Sequence, residues 1–221
     1  MTTRGFAALA IGTAVIAALV LPVHGGPPPA VDAPLPYYDE ATFTPHWSPV
    51  AHRVGPFRLQ AHTGAPFTDD DVRGQVHVVS FLYTQCPNIC PRLMGSLRTV
   101  ADRTRGTGLR VVAYSVTPET DTPAILAAFA SRNRADADTW TFVTGARTEI
   151  SRLARDRYFA MDARSPSGED GAPLVHSEKL LLVDGGGRIR GIYNGLQPAE
   201  LDHLVEDAAL LTGAGGDRPP G

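Results

Sequence analysis

Two cysteines, Cys86 and Cys90, stand in the stretch FLYTQCPNICPRLMGS. Pro87, Asn88 and Ile89 separate them, one residue more than in the common CxxC redox motif. Residues four apart on a helix share a face, and Pro87 suits a first helical position. The spacing therefore predicts Cys86 at the N-terminal end of a helix, with both sulfurs turned to one spot. Helix N-termini lower thiol pKa values and favour thiolates. A structural disulfide gains most by closing a long loop, and this loop is only a few residues. The pair reads as reactive or metal-binding. Two thiolates would hold a soft ion such as Cu(I), and a third ligand would complete a trigonal site.

Seven histidines could supply that ligand: His24, His46, His52, His62, His77, His176 and His203. His24 lies beside an apolar N-terminal run, and His203 falls in a C-terminal amphipathic helix. His77 sits inside an apolar strand, where an inward imidazole needs a partner. His176 comes after a polar loop and opens a hairpin, PLVHSEKLLLVD. From there it could reach the end of the sheet that carries the sulfurs.

The elements that position these groups are legible from periodicity. Val76 to Tyr83 is a nearly continuous apolar run rich in β-branched residues, which predicts a strand buried on both faces and ending just before Cys86. Leu109 to Val116 reads as a second such strand. Helices are predicted from Pro91 to about Arg105, from Thr122 to Arg132 and from Arg147 to Arg155, with Asp121 and Thr122 as cap residues for the middle one. Short strands are predicted at Trp140–Val143 and Tyr158–Met161, and a small hairpin around Gly64. After the polar loop from Ala163 to Pro173, Val175–Val183 and Arg188–Tyr193 flank the turn Asp184-Gly185-Gly186-Gly187, a hairpin signal. A helix from Pro198 to Leu211 closes the domain. This order predicts an α/β fold, a central mixed sheet with helices on both faces.

The 221 residues suffice for one ordinary domain plus ends. A composition of 43% hydrophobic and 19% charged residues is that of a globular protein. A net charge of −3 without a dense basic run gives no support for nucleic-acid binding. The run from Phe6 to Val23 is uncharged and comes after Arg4. At ~1.5 Å per residue it is about long enough to cross a bilayer core of ~30 Å, and the flanking charge favours export of the downstream chain. It reads as a membrane anchor, with a cleaved signal peptide as the alternative. Either places the rest in an oxidising compartment, on the periplasmic or extracytoplasmic side. The expected organisation is an anchor or signal over 1–24, a Pro/Gly-rich linker and irregular arm over 25–50, the domain over 51–212 and a tail over 213–221.

The segments FLYTQCPNICP, YSVTPETDTP, FVTG and VHSEKLLLVDGGGRIRGIYNG, in this order and spacing, resemble the SCO/SenC family of copper proteins. The likeness spans roughly residues 37 to 212, with the TFTPHW arm and the Gly64 hairpin included. It implies a thioredoxin-like fold anchored by one N-terminal helix, binding one copper per chain. Carried over by position, the ligands are Cys86, Cys90 and His176. The family's usual task is to deliver copper to the binuclear copper centre of a terminal oxidase, or to reduce that centre's cysteines. The implied partners are the copper-receiving oxidase subunit and a thioredoxin-like reductant or another copper chaperone. Two positions depart from many members: Val175 and Thr117 each replace an aspartate. Neither is a direct ligand, so the change bears on histidine basicity or partner docking.

Three other chemistries fit the residues alone. A thiol–disulfide oxidoreductase would use Cys86 to attack and Cys90 to resolve, without obligatory copper and with His176 dispensable. A peroxidase would need Thr84 and an arginine, for which Arg92 is a weak candidate. Zinc fits three ligands and an open position, but ranks below copper. The leading expectation is a metallochaperone that is not an enzyme in the ordinary sense.

Overall fold

The computed structural model describes residues 35–39, 43–160 and 177–213. The expected anchor, most of the linker, the polar loop and the tail lie outside them. Among the described residues seven strands form one mixed sheet in the order β2-β1-β5-β4-β3-β6-β7. They are β1 (Arg58–Ala61), β2 (Pro66–Thr68), β3 (His77–Leu82), β4 (Arg110–Ser115), β5 (Trp140–Thr144), β6 (Lys179–Val183) and β7 (Ile189–Asn194). The helices are α1 (Ile89–Arg103), α2 (Pro123–Arg132), α3 (Arg147–Arg152) and α4 (Pro198–Thr212).

Strands β3, β4 and β5 are parallel, and each crossover carries a helix, as parallel neighbours require. Every residue of β3 is buried, because both faces of the sheet are covered. Side chains alternate between the faces, and the two cores obey that alternation. Val78 and Leu82 of β3, with Leu180 and Leu182 of β6, meet α1, α2 and α4 through Leu93, Leu97, Leu126 and Leu204. Val79, Phe81, Leu181 and Val183 join the opposite core with Phe57, Phe67, Ile150, Leu153 and Tyr158. Helices therefore lie on both faces, as the sequence predicts.

The Gly64 hairpin forms as expected, with β1 antiparallel to β2. Gly64 sits at φ +86°, a conformation that side chains rarely adopt. The expected strand at Tyr158–Met161 does not form over Tyr158–Ala160. After α3 the chain widens into a π-helical turn at Leu153–Arg157. Tyr158 then donates its N–H to Leu153 O (2.8 Å), and Ala160 donates to Ala154 O (2.8 Å). Phe159 takes a positive φ of 52°. The apolar residues there are buried by wrapping the end of α3 against the core, not by joining a ladder.

The described parts of the arm, 35–39 and 43–50, pack on the domain. Tyr37 and His46 exchange backbone hydrogen bonds (2.7 and 2.9 Å), and Tyr38 donates to Ile189 O of β7 (3.1 Å). Arg190 is the anchor point. Its guanidinium lies 3.9 Å from the Tyr37 ring centroid and donates to Leu35 O and Pro36 O at 2.6 and 3.0 Å.

Candidate metal and redox centre

The two sulfurs meet where β3 ends. β3 stops at Leu82 and α1 starts only at Ile89, with Asn88 at the N-cap. Pro87 is thus not the first helical residue, and Cys86 lies in the connecting loop and not on the helix. This corrects the expectation of two cysteines on one helical face. The result for the sulfurs is nevertheless close. Cys90, the second residue of α1, donates its N–H to Cys86 Sγ at 3.3 Å. First-turn N–H groups have no partner within the helix, and here a sulfur fills that role.

Both cysteines are free thiols and both are buried, Cys86 at 7% and Cys90 at 2% exposure. Their acidities diverge. Burial pushes the Cys86 thiol up, but N–H donors of Cys90 and Asn88 and the side chains of Cys90 and Tyr83 outweigh it and bring it down to about 7. Burial dominates at Cys90 and pushes it up to about 12, with further contributions from Cys86 and from the charge of Asp121. One thiol is primed near neutral pH and the other holds its proton. Donors around a thiolate lower its pKa and desolvation raises it.

Tyr83, which the sequence presents only as the end of an apolar strand, is a member of this site. Its hydroxyl bonds the Cys86 sulfur, and its carbonyl accepts the Cys86 N–H (3.4 Å). The signal was available in its place immediately after the buried strand. Thr122 caps α2, accepting from Ile125 N at 3.4 Å with Pro123 as the first helical residue. Asp121 does not share that role. It is fully buried and turned toward the ends of β3 and β4.

His176 lies outside the described residues. The chain immediately after it enters β6, which runs antiparallel to β3 with His77 opposite Val183 and Val79 opposite Leu181. This register puts the start of β6 at the same end of the sheet as the cysteines. His24 also lies outside the described residues. The other histidines are placed elsewhere. His46 pairs with Asp39 (3.0 Å), and His52 Nε2 contacts Arg157 O (2.9 Å). His62 Nδ1 accepts from Phe142 N (3.3 Å), and His203 is exposed on α4. His77 stands at the far end of β3, with Nδ1 held by Gln75 O at 3.0 Å. Among the described residues no three His, Cys, Asp or Glu side chains converge on a metal position. Among the described residues the peroxidase candidates are engaged elsewhere: the Thr84 hydroxyl donates to Asp121 (2.5 Å), and Arg92 is exposed on α1.

The chain matches the family model described as SCO1/SenC over residues 47–209. It is 28% identical over 162 residues to the SCO1 protein homolog of Bacillus subtilis, covering 72% of this chain and 82% of that protein. The structure of BsSco, described with a disulfide switch and as a member of the Sco family of cytochrome c oxidase assembly proteins, superposes with a TM-score of 0.63. The two are 26% identical, over 75% of this chain and 96% of that one. Bradyrhizobium japonicum ScoI, solved with copper bound, superposes with a TM-score of 0.59 at 24% identity, over 73% of this chain and 99% of that one. The fold is the thioredoxin-like one that these proteins share.

Proposed function

The chain belongs to the SCO1/SenC family, and from that premise we propose that it is a copper chaperone for a terminal oxidase, its ion held by Cys86, Cys90 and His176. The observation that carries this reading is the contact of Cys90 N–H with Cys86 Sγ. With the hydrogen bond between the two thiols themselves, it leaves two sulfurs side by side at a buried strand–helix junction, a donor pair suited to a soft cation. One copper per chain is the cargo. A neutral imidazole at His176, one residue before the described start at Ser177, supplies the third donor. Burial of both sulfurs limits loss of the ion to solvent. Release is a ligand exchange in which a partner's own thiolates replace Cys86 and Cys90. The partner is the copper-receiving subunit of the oxidase, and the Phe6–Val23 run holds the domain beside it on the outer side of the membrane.

The test is anaerobic Cu(I) titration of the reduced chain beside Cys86→Ser and His176→Ala. One tightly held copper is expected, lost in Cys86→Ser and strongly weakened in His176→Ala. Weak binding that His176→Ala leaves unchanged would sink the reading.

The asymmetry of the two thiols supports a second reading. A thiol near pH 7 beside one near 12 is the division of labour of a dithiol reductant, with Cys86 attacking and Cys90 resolving. In that case the chain reduces the cysteines of the oxidase copper centre. Reduction of a test disulfide at an equal rate by wild type and His176→Ala identifies this activity.

A further inference from the structure

Asp121 is a fully buried carboxylate whose contacts are donors. It accepts from Thr84 N (3.1 Å), Thr84 Oγ1 (2.5 Å), Ser115 Oγ (2.6 Å) and Thr117 Oγ1 (3.1 Å). These donors come from the loop after β3, the last residue of β4 and the turn beyond it. Helix capping is done by Thr122, so the carboxylate is available for this shell. A carboxylate removed from water needs such donors.

The loop that carries Cys86 is held at its sulfur, by Cys90, Asn88 and Tyr83, and has few ties along its backbone. Gln85, Pro87 and Asn88 are exposed. The Cys86 N–H reaches Tyr83 O at a long 3.4 Å. Thr84, by contrast, commits both its N–H and its hydroxyl to Asp121, and it stands two residues before the first sulfur. The other end of the loop is fixed by α1, whose Leu93, Met94 and Leu97 are buried in the core. Fixing Thr84 therefore fixes the last free stretch between a rigid strand and a rigid helix.

We propose that Asp121 is the positioning residue of the cysteine pair: through Thr84 it holds the Cys86 loop against the sheet, so the sulfurs are set at closing distance before any ion or partner arrives. The network acts on the pair itself and is independent of which ion the pair takes. Its effect is one of preorganisation, since an ordered dithiol loses less freedom on closing than a loose one.

The test is the glutathione equilibrium of the full chain. One oxidised glutathione takes two electrons from Cys86 and Cys90, giving the protein disulfide and two glutathione thiols that carry off the two protons. Thr84→Val and Thr117→Val each remove one hydroxyl donor to Asp121 without changing side-chain shape, but only Thr84 adjoins the sulfurs. Thr84→Val is expected to lower the closure constant about fivefold, the size of one lost hydrogen bond, and Thr117→Val less than about twofold. Asp121→Asn placed in the Thr84→Val chain should lower the constant again, by no more than a second hydrogen bond, because the backbone N–H of residue 84 still reaches the carboxylate after Thr84→Val. An equal fall in Thr84→Val and Thr117→Val, or no fall in Thr84→Val, overturns the proposal and leaves Asp121 a general stabilising residue. If the double variant does not fold, the two valine variants decide alone.

Discussion

The backbone N–H of Cys90 points at the sulfur of Cys86, 3.3 Å away, and this contact, beside the deeper burial of Cys90, makes the two thiols chemically unequal. It donates to Cys86 and favours its thiolate, while the same proximity adds to the burden on a deprotonated Cys90. A helix N-terminus carries partial positive charge from its unpaired N–H groups. Cys86 sits over that end and Cys90 lies inside the first turn, buried against the core.

Alkylation by iodoacetamide should therefore distinguish them. The rate at Cys86 is expected to rise with a midpoint near pH 7, while Cys90 stays unreactive through the neutral range because burial pushes its thiol up to about 12. Tyr83→Phe removes the hydroxyl that bonds Cys86. It should move the Cys86 midpoint upward by about half a pH unit, a fraction of the ~1.5–3 kcal/mol of a hydrogen bond to a charged group, at 1.36 kcal/mol per unit. Mass-spectrometric site assignment across a pH series checks both. Equal midpoints at the two cysteines, or no shift in Tyr83→Phe, would contradict the geometry.

Copper uptake should release protons in a pattern set by the same inequality. With Cys86 and Cys90 as the proposed ligands, metal binding requires both thiolates. Above about pH 7 Cys86 has already lost its proton and Cys90 has not. The apparent affinity should then rise about tenfold per pH unit between pH 8 and 10, one proton per ion. Below pH 7 the slope should steepen, because Cys86 must also be deprotonated. Competition with a Cu(I) chelator over a pH series reads the slope directly. A flat profile would mean that Cys90 is not a ligand.

Much of this arrangement could be read from the sequence. The apolar runs ending at Tyr83 and Val116 marked the two central strands, since only a sheet covered on both faces tolerates such continuous hydrophobicity. The place of the cysteines at a strand–helix junction came from where those patterns changed period. What could not be read was non-local. Asp121 and Thr122 both looked like cap residues, and only the folded ends of β3 and β4 show that Thr84, Ser115 and Thr117 turn toward Asp121. The helix start was misplaced for a local reason. Pro87 fits a first helical position, but the chain turns at Asn88 and enters α1 at Ile89. The π turn after α3 has no sequence period of its own, so Tyr158 and Phe159 looked like a short strand.

Arg190 should matter more than a surface arginine does. It is 6% exposed, pairs with Asp184 at 3.2 Å, stacks on Tyr37 and binds the carbonyls of Leu35 and Pro36. Arg190→Ala removes all of these and leaves the Asp184 carboxylate with only the N–H groups of Gly186 and Arg188. Arg190 is buried but Asp184 only half-buried, so the loss should be smaller than the ~3–5 kcal/mol of a fully buried pair broken from one side. The arm before Val50 should become open to proteolysis at protease levels that leave the wild type intact. A cleavage pattern identical to wild type would show that the Tyr38 bond to Ile189 and the Arg188 bond to Val50 hold the arm without it.

Acid stability should be governed in part by His77. Its ring is buried at 1% exposure. Nδ1 is held by Gln75 O, and Nε2 has no hydrogen-bond partner. Burial is the main cause that holds its pKa down to about 4, against an ordinary 6.5, with Arg110 adding to the depression and Asp184 opposing it. The unfolded chain therefore binds a proton at this residue that the folded chain refuses. Between pH 6.5 and 4 the unfolded state carries more protons, so stability falls as pH falls through that window and is fully retained above it. A depression of this size corresponds to a loss on the order of 3 kcal/mol by pH 4. His77→Gln cannot take up the proton and should flatten this part of the profile, whatever it costs at neutral pH. Urea midpoints measured from pH 7.5 to 4 for both chains make the comparison. The same steep acid loss in His77→Gln would assign the sensitivity to carboxylates instead, and His77 would then be a passive core residue.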